Sequence, residues 1–309
     1  MKRVPLGNSD LYVSQLGLGC MSLSTDEKTA TEIIHYALEH GINYFDTADL
    51  YDYGRNEQIV GKVLKSVREN VIIATKVGNR WTESHDSWIW DASKAYIKEA
   101  VKKSLTRLQT DYIDLYQLHG GTLEDNIDET IEAMEELIAE GYIRYYGISS
   151  IRPTVINEYA RRSNIIAVMM QYSLLDRRPE EQAMPLLEKH HIDVVVRGAL
   201  AKGLISDALL TKASESVKKN GYLDYSYQEL TEVLAQLKEI AQSRSITSLS
   251  LQYVLANPAV ASCVVGASSV KQLIENITAF SEQAFTASEL QLIQSITKAN
   301  IYEHHRLDI

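Results

Sequence analysis

Short apolar runs alternate along the chain with longer stretches in which apolar residues recur every three to four positions. The runs are Gln15–Leu18, Asn43–Asp46, Val71–Val77, Tyr112–His119, Tyr142–Ile148, Ile165–Gln171, Asp193–Val196 and Ala261–Val265. They are rich in Val, Ile and Tyr and show little polar alternation, the pattern of parallel strands covered on both faces. Between them the periodicity predicts helices over Asp26–His40, Asn56–Ser66, Ser93–Leu108, Ile127–Glu140, Pro153–Arg162, Glu180–His190, Tyr227–Ala256 (as two helices), Val270–Phe280 and Thr286–Ala299. The first of these opens on an acidic turn and stops at Gly41, which suits a helix C-terminus.

This makes eight strand–helix units and one final helix. Residues 1–13 read instead as a β-hairpin turning at Gly7-Asn8. No linker rich in Pro, Gly or Ser divides the units, and the chain holds only 5 prolines. A parallel sheet with interleaved helices either closes into a barrel or stays open and doubly wound. Eight similar units in one undivided chain favour the barrel. The expected architecture is an α/β (β/α)8 TIM barrel with an N-terminal hairpin and a C-terminal extra helix, a single domain over 1–309.

Composition narrows the class. Lys and Arg total 31 against 41 Asp and Glu, a net charge of −10. No stretch is rich in basic residues, which argues against a nucleic-acid or anionic membrane surface. Two cysteines, Cys20 and Cys263, are too few for a disulfide framework. The start, MKRVPLGNSD, lacks the apolar segment of a signal peptide. The longest aliphatic-rich runs, such as Ile165–Met170, fall far short of the ~20 residues of a membrane helix. The expected location is the cytoplasm. The Asn276-Ile-Thr278 sequon is read as chance in that setting.

In a barrel, chemistry sits at the carboxyl ends of the strands. There the second strand ends in Asp46, with Tyr51 five residues on, the third in Lys76 and the fourth in His119. A lysine in an apolar strand is costly unless paired, and Asp46 on the neighbouring strand supplies the partner. Lys76 is expected to lower the pKa of Tyr51 and so tune it as a general acid for a carbonyl oxygen. His119 would donate to the same oxygen and orient it. No competing pattern appears: there is no HExxH, CxxC pair, GxSxG elbow or P-loop. Gly17-Leu-Gly19-Cys-Met-Ser22 is only a partial dinucleotide-binding fingerprint. None of the 18 tyrosines has a lysine four residues on.

The residues LGLGCM (16–21), GINYFDTADLYDYGRNE (41–57), IATK (73–76), YIDLYQLHG (112–120), IRYYGISS (143–150), QYSLLDR (171–177) and VVGASSVKQLIEN (264–276) carry a resemblance. The chain resembles the aldo-keto reductase superfamily, near its bacterial members and the potassium-channel β subunits, from about Val4 to Asn276. The resemblance implies the (β/α)8 fold, Asp46, Tyr51, Lys76 and His119 as the catalytic tetrad, and NADPH as cofactor without a metal. It matches Gly19, Cys20 and Met21 to a turn near the nicotinamide ribose, and Ser149, Ser150 and Gln171 to the group holding the carboxamide. It matches Arg197, Gly198, Ala199, Leu200, Lys202 and Gly203 to a loop over the pyrophosphate. Gly266, Ser268, Gln272, Glu275 and Asn276 match the adenosine-phosphate segment.

Three positions depart from the family pattern. Ser150 stands where Asn is usual, Gln272 where Arg is often found, and Arg197 where an aromatic ring stacks on the nicotinamide. The expected activity is NADPH-dependent reduction of an aldehyde or ketone, a small-molecule carbonyl substrate. The alternative is an NADP(H)-sensing regulatory protein with vestigial turnover, like the channel subunits. Specificity is expected from the loops Gly120–Asp125 and Arg80–Trp90. The second holds Trp81, Trp88 and Trp90, which would either wall the pocket or pin the loop to the rim.

Overall fold

A computed structural model of the protein describes residues 1–84 and 86–308. Along the chain, β1 (Arg3–Pro5) and β2 (Tyr12–Ser14) form an antiparallel hairpin. The following elements are β3 (Leu16–Gly19), α1 (Glu27–Glu39), β4 (Tyr44–Asp46), α2 (Arg55–Leu64), β5 (Ile72–Val77), β6 (Asn79–Trp81) and β7 (Trp88–Trp90). Next come α3 (Lys94–Leu108), β8 (Ile113–Leu118), α4 (Ile127–Ala139), β9 (Ile143–Ser149), α5 (Pro153–Arg162), β10 (Ala167–Gln171), α6 (Ala183–Lys189) and β11 (Asp193–Arg197). The chain ends through α7 (Glu215–Asn220), α8 (Tyr227–Ala241), α9 (Ile246–Leu255), β12 (Val260–Gly266), α10 (Val270–Ser281) and α11 (Ala287–Ile296).

Strands β3, β4, β5, β8, β9, β10, β11 and β12 pair in parallel, in that order, and β12 closes back on β3. This is a closed (β/α)8 barrel, so the open doubly wound alternative is excluded. Most predicted helices start one residue after a capping side chain: Asp26, Ser93, Asn126, Ser226, Ser245, Ser269 and Thr286 each accept from a backbone N–H of the first turn. The helix predicted from Glu180 begins only at Ala183. Residues 178–180 wind instead into a short 3-10 turn around Pro179. No helix among the described residues is long and apolar enough to cross a membrane.

Alternation along the barrel strands decides what reaches the rim. Tyr44, Ile72, Ala74, Leu115, Ala167, Met169 and Val195 fill the barrel interior with Leu6, Leu11 and Val13 of the hairpin, which plugs its amino-terminal end. The plug is close: Gly7 (φ +54°) lies so near Ile166 that a Cβ would stand 2.1 Å from the Ile166 carbonyl oxygen. The Gly7 N–H donates to Asp193 Oδ2 at 2.6 Å. Two residues beyond the interior positions, the same faces end in Asp46, Lys76, Gln117, Gln171 and Arg197. Polar groups are thus delivered to the carboxyl-terminal rim by the period of two.

Candidate active site

Lys76 is 1% exposed, and each of its ammonium hydrogens has an acceptor. Nζ lies 2.5 Å from Asp46 Oδ1, 2.8 Å from the Thr47 carbonyl and 3.4 Å from the Tyr51 hydroxyl. Gln117 Nε2 donates to the other Asp46 oxygen at 3.3 Å. Burial works against the Lys76 ammonium, but Asp46 and Tyr51 outweigh it and hold its pKa above the ordinary lysine value. Burial pushes the Asp46 carboxyl up, opposed by Lys76 and the Gln117 amide. At 2.5 Å the pair is a buried ammonium–carboxylate contact, supported by hydrogen bonds on both sides.

Tyr51 sits in a tight turn whose next two residues, Asp52 and Tyr53, adopt left-handed backbone (φ 48° and 56°) before Gly54 at φ 82°. Such strain persists only where neighbours over-determine it. Here Trp81 Nε1 donates to the Leu50 carbonyl at 3.1 Å, and the Trp81 ring lies 4.4 Å from that of Tyr53. A Cβ at Gly54 would stand 2.7 Å from the Arg107 side chain. The expected lowering of the Tyr51 pKa is not found. Burial raises it, and the field of Lys76, countered by Asp46, does not reverse this. Tyr51 is therefore a protonated phenol at neutral pH, a proton donor rather than a phenolate.

His119 follows β8, anchored by its N–H on the Val77 carbonyl at 2.7 Å. Its ring meets Tyr51 edge-on at 6.0 Å between centroids. Burial, then the charges of Lys76 and Arg197, lower its pKa to about 3. The imidazole is thus neutral, and its Nδ1 is buried without a hydrogen-bond partner among the described residues. The four residues anticipated from the strand ends converge on one point.

The remaining rim residues are placed as follows. Gly19 ends β3 between Asp46 and Gly266 in register. Cys20 is buried, its thiol facing the Leu18 carbonyl, while Met21 is exposed. Ser149 ends β9, and the buried Ser150 accepts from the Arg152 N–H at 3.2 Å. Gln171 is already engaged: Nε2 donates to Asp176 Oδ2 at 2.7 Å and Tyr222 at 3.3 Å, and Oε1 accepts from Arg197 Nη1 at 3.1 Å. Gly198 (φ 72°) packs on Gln171, Ala199 accepts from Ser250, Leu200 is half-buried, and Lys202 and Gly203 (φ 87°) lie exposed.

Beside β12 the segments draw together. Asn276 Nδ2 donates to the Gly266 carbonyl at 3.2 Å and is buried, so the sequon amide is engaged inside the fold. Ser268 directs both N–H and Oγ at the Gln272 amide oxygen, at 3.0 and 3.2 Å, while Glu275 stays exposed. These two donors would satisfy a phosphate oxygen in the amide's place, beside the amino-terminal turn of α10. With the protonated Tyr51 and the neutral His119 ring edge-on to it, the rim fits a phosphate-bearing hydride donor and a carbonyl oxygen.

The sequence of the Aldo/keto reductase family matches residues 15–298. The chain belongs to that family. It is 60% identical over 306 residues to the uncharacterized oxidoreductase YqkF of Bacillus subtilis (strain 168), covering 99% of this chain and 100% of the relative. Its structure is similar to the aldo-keto reductase AKR11C1 from Bacillus halodurans. The holo form gives a TM-score of 0.92 at 57% identity, and the apo form 0.85 at 53%; each covers 99% of this chain and 100% of the other. A more distant relative, the NADH-specific methylglyoxal reductase of Escherichia coli (strain K12), is 29% identical over 304 residues, 90% of this chain and 93% of that protein. As a member of the aldo-keto reductases, the protein is an oxidoreductase of the kind that uses a nicotinamide cofactor.

Reading by strand ends missed Gln117, which orients Asp46, and Asp176, which holds Gln171. Gln117 was visible as the next inward position after Leu115. Asp176 was not, because its role depends on how the loop after β10 folds back.

Proposed function

We propose that the protein reduces an aldehyde or ketone with NADPH, Tyr51 donating the proton. The observation that carries this reading is the set of three bonds from the buried Lys76 ammonium, which ties Asp46 and Tyr51 into one unit. NADPH supplies the hydride when bound along the rim. The carbonyl oxygen gains negative charge as the hydride arrives, and the neutral Tyr51 phenol gives it a proton. Lys76, 3.4 Å away, stabilises the phenolate left behind. His119, uncharged and edge-on to Tyr51, donates one hydrogen bond that orients the carbonyl oxygen. Asp46 and Gln117 keep Lys76 in place. Cys20 and Cys263 are free buried thiols, in keeping with work in the reducing cytoplasm. We read the whole chain as one catalytic domain.

The intact tetrad favours turnover over a purely sensing role. The test is wild-type protein with NADPH and a reactive aldehyde such as 4-nitrobenzaldehyde. This reading requires stoichiometric NADPH oxidation and alcohol formation over many turnovers; tight NADPH binding without turnover would support the sensor instead. The preference for the phosphorylated cofactor rests on Ser268, Lys271 and Gln272 meeting its 2′-phosphate. At least ~10-fold tighter binding of NADPH than NADH is expected, about 1.4 kcal/mol. Equal dissociation constants by fluorescence titration would refute it.

A further inference from the structure

A cavity of about 860 Å³ opens on the carboxyl-terminal face of the barrel, lined by the segments that follow β9, β10 and β11 and by the C-terminal tail. It lies on the rim that carries the tetrad. Its Arg152 donates to the carbonyl of Gly121, two residues after His119, and its Arg178 is bound to Asp176, which also holds Gln171 at the end of β10. Three groups on its wall lack full partners. The Arg152 side chain is half-buried, its guanidinium donates only to the Gly121 carbonyl at 2.8 Å, and it makes no ion pair among the described residues. Tyr302 is 7% exposed, and its hydroxyl has no hydrogen-bond partner among the described residues. Arg178 lies 4.9 Å over the Tyr302 ring and binds Asp176 through Nε and Nη2, leaving Nη1 with no bond among the described residues.

A half-buried guanidinium without an ion pair and a buried phenol without a bonded partner are each unfavourable until something satisfies them. One planar anion with two acceptor oxygens would satisfy both. The wall also carries two exposed acids, Glu303 and Asp224, the latter accepting from Asn300 at 3.0 Å. Arg178 is already balanced by Asp176, so Arg152 is the one arginine of the wall without an ion pair among the described residues. One such guanidinium suits a monoanionic carboxylate, and the two acids on the same wall disfavour a doubly charged phosphate.

Building on the reductase reading, we infer that the cavity receives the carboxylate of the substrate, and that the protein prefers carbonyl compounds bearing a carboxylate on the far side of the aldehyde. Two measurements separate this from the reductase reading. In the first, kcat/KM is compared for 4-formylbenzoate and its methyl ester at saturating NADPH. A charged hydrogen bond of this kind predicts a preference for the acid of about tenfold or more, expressed in KM. The ratio should approach one in Arg152→Gln and recover in part in Arg152→Lys. A wild type that reduces the ester as well as the acid overturns the inference, as does an unchanged ratio in Arg152→Gln.

In the second, benzoate and benzamide are titrated into NADPH-loaded Tyr51→Phe protein, followed by the fluorescence of the bound cofactor. Benzoate should bind and benzamide should not. If benzoate binds while the wild type reduces neither aldehyde, the carboxylate subsite stands and the reductase reading falls. If both aldehydes are reduced but benzoate does not bind, the subsite falls and the reductase reading stands.

Discussion

On the β4, β5 and β8 side of the rim, polar side chains are bonded to one another: Lys76 to Asp46 and Tyr51, Gln117 to Asp46. On the β9 to β12 side they are bonded to their own loops or remain exposed: Ser268 to Gln272, Ser150 to the Arg152 N–H, Gln171 to Asp176 and Arg197. The first side is preorganised, and a carbonyl would find its donors already set. The second side must exchange local bonds for bonds to a ligand, which tunes affinity and selectivity more than it tunes the chemical step.

Removing the centre of the first side should have the largest effect. Lys76→Met leaves Asp46 buried without its counter-charge, so stability should fall by about 3–5 kcal/mol, and turnover should be lost in whatever protein still folds. Urea unfolding and an NADPH-oxidation assay check both. A variant with wild-type stability and rate would mean that the pair is not the core of the site.

His119 gives that side a pH signature. Its pKa is about 3 in the fold against an ordinary 6.5, so between those values the unfolded chain binds more protons. Stability from this group is therefore complete above pH 6.5 and declines as pH falls toward 3, by up to about 1.4 kcal/mol per unit. In His119→Gln that contribution to the slope disappears. Unfolding at pH 4.5, 5.5 and 6.5 should show the wild type losing its advantage over the variant as pH drops. A constant difference would contradict the burial of a neutral ring.

The smallest expected effect lies on the second side. The Arg197 guanidinium is exposed, contacts only the Gln171 amide among the described residues, and is felt by Asp46, Tyr51 and His119. Beside a nicotinamide it would disfavour the cationic oxidised ring by roughly 1 kcal/mol at an effective dielectric of ~20 or higher. NADPH should then bind several-fold more tightly than NADP+, and Arg197→Tyr should shrink the ratio. If both affinities fall together at constant ratio, Arg197 serves the phosphates instead.

The same contrast governs what could be read from the sequence. Lys76 in an unbroken apolar strand, and acid, phenol and imidazole at neighbouring strand ends, reveal the first side because strand order and a period of two place them. The hairpin β6–β7 was not legible, since each strand is three residues long and the intervening stretch is polar. Its tryptophans divide the roles left open. Trp90 pins the loop, its ring filling the space where Cβ atoms at Gly78 and Gly120 would stand and its Nε1 bonded to Asp125 at 2.8 Å, whereas Trp88 is half exposed. The six-residue α7 was missed because it is too short to show a period. The carboxylate cavity was also invisible, because its walls come from four segments far apart in sequence that only the closed barrel brings together.

The most direct test of the account is Tyr51→Phe, which deletes one hydroxyl and keeps the ring. Turnover with an aldehyde and NADPH affinity should be measured on the same preparation. The account predicts NADPH binding close to wild type and turnover lower by ~10²-fold or more, the scale of a lost general acid. Near wild-type reduction by the Phe variant would contradict Tyr51 as the proton donor.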